Sequence, residues 1–407
     1  MILPIILLLM IFIGIIVPHY KFIQYMYLCV IIITFTTFFI WPDNSFDLYR
    51  NYMITDKLAS LDIFSFFSAK NSFVNAEEIV STAAEQYRKS YPIYSFFSWL
   101  IGAGKFYQLL PASITFLTYF WGIKRIADNL KNGTSTYIAA LLSFFLTLIT
   151  YNYLFIVSNL RYPFVGAMFA YLTYEEIVLK QHRKLCCFFY CCLPFIHSIG
   201  FLFLAFRILL FIYNKYTKVF ILLLILFSNY LLLPISRFFL KYTSGVVWVA
   251  LDKYVRYNEI RSNAGTSHVS LKLSIIYILI FILILFFSKA ISRSYGKYTD
   301  LIFIYIVFAF SALNQSDLFN RIEFVLLPSV IPVLQKIISI YTCENKYFNW
   351  KKNKILIGKS IIASFLIVTV INFVIACNKD YVKLSPYMSM DNFMNNGTLE
   401  DSYWNEE

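Results

Sequence analysis

The chain has 407 residues, of which 59% are hydrophobic, 20% aromatic and only 14% charged, and its mean hydropathy is +0.66. Soluble domains carry about a quarter charged residues, so this composition excludes an ordinary soluble protein and predicts one that crosses a membrane several times. The net charge of +13 does not indicate nucleic-acid binding, because most Lys and Arg lie in short segments between apolar runs, where they set membrane orientation.

Apolar runs long enough to cross roughly 30 Å of hydrocarbon recur along the chain. The first apolar run lacks a basic n-region and is not followed by a cleavage site, so we expect it to be a retained span rather than a signal peptide. The predicted spans are 2–18, 22–41, 105–121, 136–157, 162–179, 218–236, 271–288, 299–313, 321–340 and 355–377.

Two stretches do not fit a simple span. Residues 91–103, "YPIYSFFSWLIGA", are too short to cross and predict an interfacial or re-entrant helix. Residues 185–213 are too long for one untilted span and are interrupted by Pro194 and His197, which favours a broken or re-entrant pair. The fold class is therefore an all-α polytopic membrane protein with about 10–12 transmembrane or re-entrant helices.

The basic residues are divided unequally between the two sides of this topology. The short loops of one side contain only Arg161 and Arg321, so the positive-inside rule makes that side the outer one. The other side collects seventeen basic residues: Lys21, Lys124, Arg125, Lys131, Lys180, Arg183, Lys184, Arg207, Lys215, Lys218, Lys289, Arg293, Lys297, Lys346, Lys351, Lys352 and Lys354.

The same topology predicts one membrane domain over residues 1–377. Its long outward loops lie at about 42–90 and 237–270, and residues 378–407 form an acidic outward tail. The second loop contains "KYTSGVVWVALDKYVRYNEIRSN", whose aromatic and polar residues suit either sugar contacts or an amphipathic helix on the membrane.

The first outward loop opens with "WPDNSFDLYRNYM". Asp47 and Arg50 are three residues apart, so on a short helix they share one face. On that face they can pair with each other or contact one ligand together. Tyr49 and Tyr52 accompany them as candidate ligand contacts. A solvated ion pair beside an interfacial aromatic belt is the alternative.

Three further positions on the outer side are candidates. Arg161 stands at a span end within "SNLRYPFVGAMFAY", where a headgroup anchor is the alternative function. His197 and Ser198 lie inside an apolar stretch, and an intramembrane histidine indicates a functional site unless it is only hydrogen-bonded packing.

A late segment, "NQSDLFNRIEFVLLP", adds Asp317 and Arg321 at a spacing of four, with Glu323 behind them. Capping of the span by a salt bridge is the alternative. Arginines beside a histidine and carboxylates suit an anionic substrate, because a guanidinium binds phosphate through a planar fork and stays charged.

Metal and cofactor chemistry lack a sequence signature. The chain contains no HExxH, no DxD, no P-loop and no GxSxG. The cysteines of "CCFFYCC" at 186–192 lie in an apolar run, where small packing residues are the expectation. We therefore predict neither a metal nor a cofactor.

The chain resembles the EpsG-type relatives of the Wzy-like polymerases of bacterial surface polysaccharide. The resemblance lies in three patches: "DLYRNY", "LRYPFVGAMFAY" followed by "FIHSIGFL", and "DLFNRIEFVLLP". They occur in that order along the chain, and all are predicted on the outer side of the membrane. Family members often follow the arginine with glutamine or another small polar residue, whereas this chain has Tyr162 and Pro163.

The resemblance implies a multi-pass glycosyltransferase of the bacterial inner membrane, with glycosyltransferase C-like architecture and its active site facing the periplasm. Its substrates would be a glycan donor and a glycan acceptor, both linked to undecaprenyl diphosphate and both held in the membrane lipid. Its product would be O-antigen, capsule or exopolysaccharide. A flippase and chain-length regulator proteins are the implied protein partners.

Roles for the candidate residues follow from such a transfer. Arg161 and Arg321 would hold the diphosphate, and His197, Asp317 and Asp47 are candidates for the general base, with His197 ranked first for its ordinary pKa near neutrality. Two alternatives remain: a flippase for the same lipid-linked glycan, and a membrane acyltransferase that modifies polysaccharide.

Overall fold

The computed structural model describes most of the predicted membrane domain. Every helix predicted from an apolar run has a counterpart, and no strand occurs in the described ranges, so the all-α prediction is confirmed there. These ranges are 2–39, 58–67, 88–89, 91–101, 109–151, 156–157, 160–214, 216–244, 247–248, 250–252, 254–255, 271–313, 316–342 and 352–376.

The described ranges are mostly helical. In chain order they are α1 Ile2–Ile16, α2 Phe22–Thr36, α3 Ile63–Phe67, α4 Pro92–Ile101, α5 Leu109–Lys131, α6 Tyr137–Thr150, α7 Arg161–Thr173, α8 Arg183–Ile196, α9 Gly200–Ile212, α10 Lys218–Leu226, α11 Ser228–Phe239, α12 Leu271–Ser311, α13 Ser316–Arg321, α14 Glu323–Thr342 and α15 Lys352–Ala376.

Length and hydropathy identify fewer complete membrane spans than the sequence predicts. Within the described ranges, Leu273–Ile291 and Glu323–Ile340 are long and apolar enough to cross. A third candidate pairs Lys218–Leu226 with Leu231–Phe239, but these helices meet at 69°, so the predicted span 218–236 is bent rather than straight. The structure thus supports a membrane protein. Of the remaining predicted spans, 2–18, 136–157 and 355–377 correspond to shorter apolar helices.

Residues 271–311 are helical throughout but do not form one straight rod. The rings of Phe281 and Phe303 are 5.4 Å apart, although 22 residues of straight helix would separate them by about 33 Å. The segment therefore folds back near 292–294 into two arms. This matches the prediction of two spans joined by a basic connection.

The pair α8 and α9 also folds back on itself. Tyr190 of α8 and Arg207 of α9 both donate to Glu176 Oε2, at 2.9 and 2.7 Å. In a straight helix their backbones would be about 25 Å apart, too far for both side chains to reach one oxygen. The predicted broken or re-entrant pair is therefore a hairpin with its tip at 197–199.

Gly200 makes the sharp turn of this hairpin possible. A Cβ atom at this position would lie 2.4 Å from the carbonyl carbon of Leu193 and 2.5 Å from the nitrogen of Pro194. Both are backbone atoms that cannot rotate away. The glycine therefore lets the start of α9 rest directly on the end of α8.

The centre of the bundle is formed by α7, α14 and the second arm of α12. α7 packs on α5, α8 and α14, while α14 also contacts α6 and α12. Most residues of these inner helices are buried, and α1, α10 and α11 present many exposed apolar side chains at the periphery. These peripheral helices thus present apolar side chains outward, as expected where lipid is the solvent.

Three of the basic residues assigned to cytoplasmic loops lie on helices instead, Arg125 buried and the other two half-buried. α5 continues ten residues beyond the predicted span and carries Lys124 and Arg125, and Arg207 belongs to α9. Lys124 pairs with Asp128 and Glu175 at 2.8 and 2.9 Å, and Arg207 pairs with Glu176. A hydropathy count cannot detect such partners.

We expect Gly200→Ala to destabilise the protein by on the order of 3 kcal/mol, because the added methyl group overlaps backbone atoms that cannot move aside. Thermal unfolding in detergent, followed by tryptophan fluorescence, measures the loss. Gly296→Ala is the matched control, since a methyl group there meets nothing within 4 Å. Equal melting temperatures for the two variants would contradict the backbone contact at Gly200.

Candidate functional site

Arg161 is the first residue of α7 and is 5% exposed. The preceding Leu160 has φ 38°, a left-handed conformation that costs energy for any residue other than glycine. Pro163 lies in the first helical turn, where the missing N–H breaks no helical hydrogen bond. The local sequence therefore starts α7 abruptly and turns the arginine into the bundle.

The guanidinium of Arg161 lies against two tyrosines, Tyr91 just before α4 and Tyr94 within it. Its Cζ atom lies 4.5 Å from the ring centre of Tyr91 and 5.1 Å from that of Tyr94. Both rings are buried, so the attraction between the cation and the ring faces is weakly screened by water. The other face of α4 exposes apolar groups such as Phe97 and Leu100, and its ten residues span only about 15 Å, which suits the predicted interfacial helix.

His197 lies at the tip of the α8–α9 hairpin and is 8% exposed. Its ring stacks on that of Tyr91 at 6.0 Å and lies 5.9 Å from that of Tyr162. His197 Nδ1 accepts a hydrogen bond from the Ile199 N–H at 3.2 Å. A neutral imidazole that accepts at Nδ1 carries its proton on Nε2, so this histidine is held as an Nε2 donor.

Arg321 joins the same group through Tyr162. Its Cζ atom lies 5.2 Å from the Tyr162 ring centre, and the Tyr162 hydroxyl donates to the backbone carbonyl of Arg321. Phe324 packs edge-on against the same tyrosine at 5.2 Å. α7 and α14 approach so closely here that a Cβ on Gly166 would lie 2.7 Å from the carbonyl oxygen of Phe324.

The structure thus brings three predicted site residues together. Arg161, His197 and Arg321 come from α7, the hairpin tip and α13, and the rings of Tyr91 and Tyr162 connect them. We call these five residues the aromatic–arginine cluster. The cluster thus places two permanent cations and one imidazole among aromatic rings.

Other predicted residues are placed only in part. The backbone of Asp317 belongs to α13, and Ser198 is half-buried at the hairpin tip. The side chain of Asp317 lies outside the described residues, as do all of Asp47, Tyr49, Arg50 and Tyr52. Among the described side chains, no group of three or more His, Cys, Asp or Glu could hold a metal ion.

Sequence reasoning missed the tyrosines that contact Arg161 and Arg321. Tyr91 and Tyr94 lie in a stretch interpreted as interfacial, where aromatic residues are common and carry little information. Their spacing of three, which places them on one helical face, was the available signal. Tyr162 was noticed only as a departure from the polymerase pattern, yet it contacts both His197 and Arg321.

Comparisons with known proteins add no identification. No family model matches the chain, and neither a curated protein nor a solved structure matches it. The resemblance to polysaccharide polymerases therefore stays a prediction carried by three short patches. The chemistry of the site has to be argued from its own residues.

We expect Gly166→Ala to push α7 away from α14 and to lower the free energy of unfolding by about 2 kcal/mol, because the new methyl group meets the Phe324 backbone. Thermal unfolding in detergent measures this change. Gly14→Ala serves as the control: its methyl group would meet a ring carbon of Tyr25 at 3.2 Å, and a side chain can shift. A Gly166 variant as stable as the Gly14 variant would show that the helices are not in backbone contact.

Proposed function

We propose that this chain is a membrane glycosyltransferase that polymerises undecaprenyl-diphosphate-linked oligosaccharide repeat units at the periplasmic face. The aromatic–arginine cluster is the observation that carries the proposal. Its two arginines are the two basic residues predicted in the short outward loops, and they lie in one group with the predicted histidine. A lipid diphosphate presented at that surface matches the cluster in charge.

Arg161 and Arg321 would bind the diphosphate of the donor. As the bond from the diphosphate to the anomeric carbon breaks, negative charge grows on the leaving oxygen. Fixed cations in a poorly hydrated site stabilise this charge without reorganisation. Stacking of the Arg161 guanidinium on Tyr91 and Tyr94 holds it in place before the substrate arrives.

His197 is better suited to donate a hydrogen bond than to abstract a proton. Its Nδ1 atom accepts from the Ile199 N–H, so Nε2 carries the proton in the neutral form. We assign Nε2–H to a phosphate or sugar oxygen of the substrate. The base that accepts the proton of the attacking sugar hydroxyl would then be Asp317 or Asp47, both predicted on the outward side.

The outward loops would supply the sugar contacts. Tyr49, Arg50 and Tyr52 follow the second span, and the second loop is rich in Tyr, Trp, Arg and Asn, which stack on and hydrogen-bond to sugars. Ser198 at the hairpin tip is close enough in sequence to His197 to contact the same ligand. Acceptor and donor would both be lipid-linked, so no soluble cofactor is required.

A flippase for the same lipid-linked glycan is the second candidate. It is favoured by the cations that continue into the other half of the bundle, namely Lys124 and Arg125 on α5 and Arg207 on α9. A transport path needs polar groups at successive depths. Lys124 and Arg207, however, are bound to Glu175 and Glu176, which suits a structural role equally well.

Single replacement of Arg161, His197 or Arg321 by Ala in the source organism should abolish long surface glycan while single repeat units still reach the surface. Gel analysis of glycan length is the measurement, and Lys131→Ala removes an exposed charge as the control. In reconstituted vesicles, we expect the arginine variants to polymerise about 10²-fold more slowly. Loss of all surface glycan would instead favour a flippase, and full-length but unmodified glycan an acyltransferase.

The role of His197 has its own test. If Nε2–H donates to the substrate, His197→Gln should keep at least about a tenth of the wild-type polymerisation rate, since the glutamine amide can replace that donor, whereas His197→Ala should lose more. If both variants lose the polymerisation rate equally, at equal thermal stability, His197 would instead be the general base.

A further inference from the structure

An apolar groove opens between α3 and α4. It has a volume of about 650 Å³, within the usual range for sites that hold small molecules. Its wall consists of four phenylalanines, one proline, one isoleucine and two basic residues, Arg88 and Lys89. Two of the phenylalanines, Phe67 and Phe97, are 67% and 50% exposed, so the groove is accessible from outside the protein. A ligand that fits this groove is largely apolar and carries a group that basic residues bind.

The two sides of the groove are fastened to each other. Phe66 of α3 stacks on Trp99 of α4, with ring centres 4.9 Å apart, and lies 6.4 Å from the ring of Phe96. Trp99 Nε1 also donates to the carbonyl of Leu61, just before α3, at 2.8 Å. These contacts fix the separation of the two helices without a ligand. The groove is therefore formed in advance, and binding costs little reordering.

Arg88 brings a buried positive charge to this apolar wall. It is 8% exposed, and its Nη1 donates to the carbonyls of Ser65 and Phe66 at 2.9 and 2.7 Å. Within the described ranges, no carboxylate lies within 4 Å of its guanidinium. The carboxylate of Asp62 accepts from the N–H and the hydroxyl of Ser65 instead. The carbonyls hold the guanidinium in place but leave its charge uncompensated, which is costly at a buried site.

Three N–H groups of Arg88 remain for a ligand. A guanidinium has five N–H groups, and Nη1, which binds the two carbonyls, carries two of them. No described residue accepts from Nε or Nη2 of this arginine. A phosphate oxygen would accept these protons and also balance the charge, which a neutral acceptor cannot do.

We propose that the groove binds one anionic phospholipid, with a hydrocarbon chain against the phenylalanines and the phosphodiester at Arg88. A phosphodiester carries one negative charge, which matches the one uncompensated guanidinium. α4 is short and suits an interfacial position, which is the depth at which phospholipid headgroups lie. A zwitterionic lipid would bring its own cation next to Arg88 and Lys89, so an anionic headgroup is preferred.

This lipid is distinct from the donor of the proposed transfer reaction. Tyr94 on α4 contacts the guanidinium of Arg161, whereas Ile93 and Phe96 line the groove from another face of the same helix. A headgroup at Arg88 and a diphosphate at Arg161 therefore occupy two separate sites. The lipid site does not depend on the proposed polymerase activity.

Quenching of tryptophan fluorescence tests the proposal, because Trp99 stacks on Phe66 in the groove wall. The purified full chain is reconstituted in phosphatidylcholine vesicles. Phosphatidylglycerol or phosphatidylcholine with brominated chains, which quench nearby tryptophans, is then added in increasing mole fraction. We expect brominated phosphatidylglycerol to reach half-maximal quenching at a mole fraction about tenfold lower than brominated phosphatidylcholine, because its net negative charge is paired with Arg88.

The same measurement can overturn the proposal in two ways. Equal quenching by the two brominated lipids would show that the groove holds bulk lipid only. Trp99→Phe should remove the difference between the lipids, since it removes the tryptophan at the groove. A preference for phosphatidylglycerol that persists in this variant would place the anionic lipid elsewhere.

Variants of the wall locate the lipid. Arg88→Gln, whose amide can still donate to a backbone carbonyl, should raise the half-quenching mole fraction of brominated phosphatidylglycerol about tenfold. Phe97→Ala, which removes apolar contact area from the groove, should raise it severalfold. Phe64→Ala is the matched control and should bind like the wild type, because Phe64 is 85% exposed and is not part of the groove wall.

Two results with these variants would contradict the assignment. Wild-type quenching in both Arg88→Gln and Phe97→Ala would show that the lipid does not lie in the groove. Displacement of brominated phosphatidylglycerol by an equal or smaller mole fraction of undecaprenyl phosphate would assign the groove to the lipid tail of the donor instead.

Discussion

The carboxylate of Glu176 binds both arms of the α8–α9 hairpin, and the aromatic–arginine cluster depends on this contact. Tyr190 and Arg207 reach Glu176 from opposite arms, so the arms stay antiparallel and the tip is directed toward the start of α7. Glu176 itself lies in the π-helical turn Tyr174–Val178 that continues α7. One helix therefore carries Arg161 at one end and, at the other, the anchor that places His197 beside it.

The two ends of α7 stabilise buried charge in different ways. At the Glu176 end, cations meet carboxylates: Lys124 pairs with Glu175, and Arg207 pairs with Glu176. At the Arg161 end, the described contacts of the guanidinium are with ring faces. Ion pairs in a poorly hydrated interior fix helices to one another, whereas ring faces support a cation without neutralising it. The first arrangement suits scaffolding, and the second agrees with the anion binding proposed for the cluster.

Much of the helical framework followed from the sequence, because hydropathy reports local apolar length. The helix positions, the hairpin in 185–213 and the turn near 292–294 were all foreseen in outline. Arg125 was assigned to a basic loop because a charge count treats every arginine as solvated. Its burial against Tyr151 depends on a contact 26 residues away, which no local pattern encodes.

The geometry of a stacked arginine explains why tyrosines suit this site. A ring contacts the flat face of the guanidinium, while all five N–H bonds point outward in its plane. The rings of Tyr91 and Tyr94, at 4.5 and 5.1 Å from Cζ, therefore help to hold the guanidinium of Arg161 in place. A carboxylate from the protein would bind the same edge that a phosphate needs. Aromatic support is thus compatible with the exchange of anionic partners that the proposed function requires. Tyrosine further allows a hydroxyl to anchor the ring, as Tyr162 does on the Arg321 carbonyl.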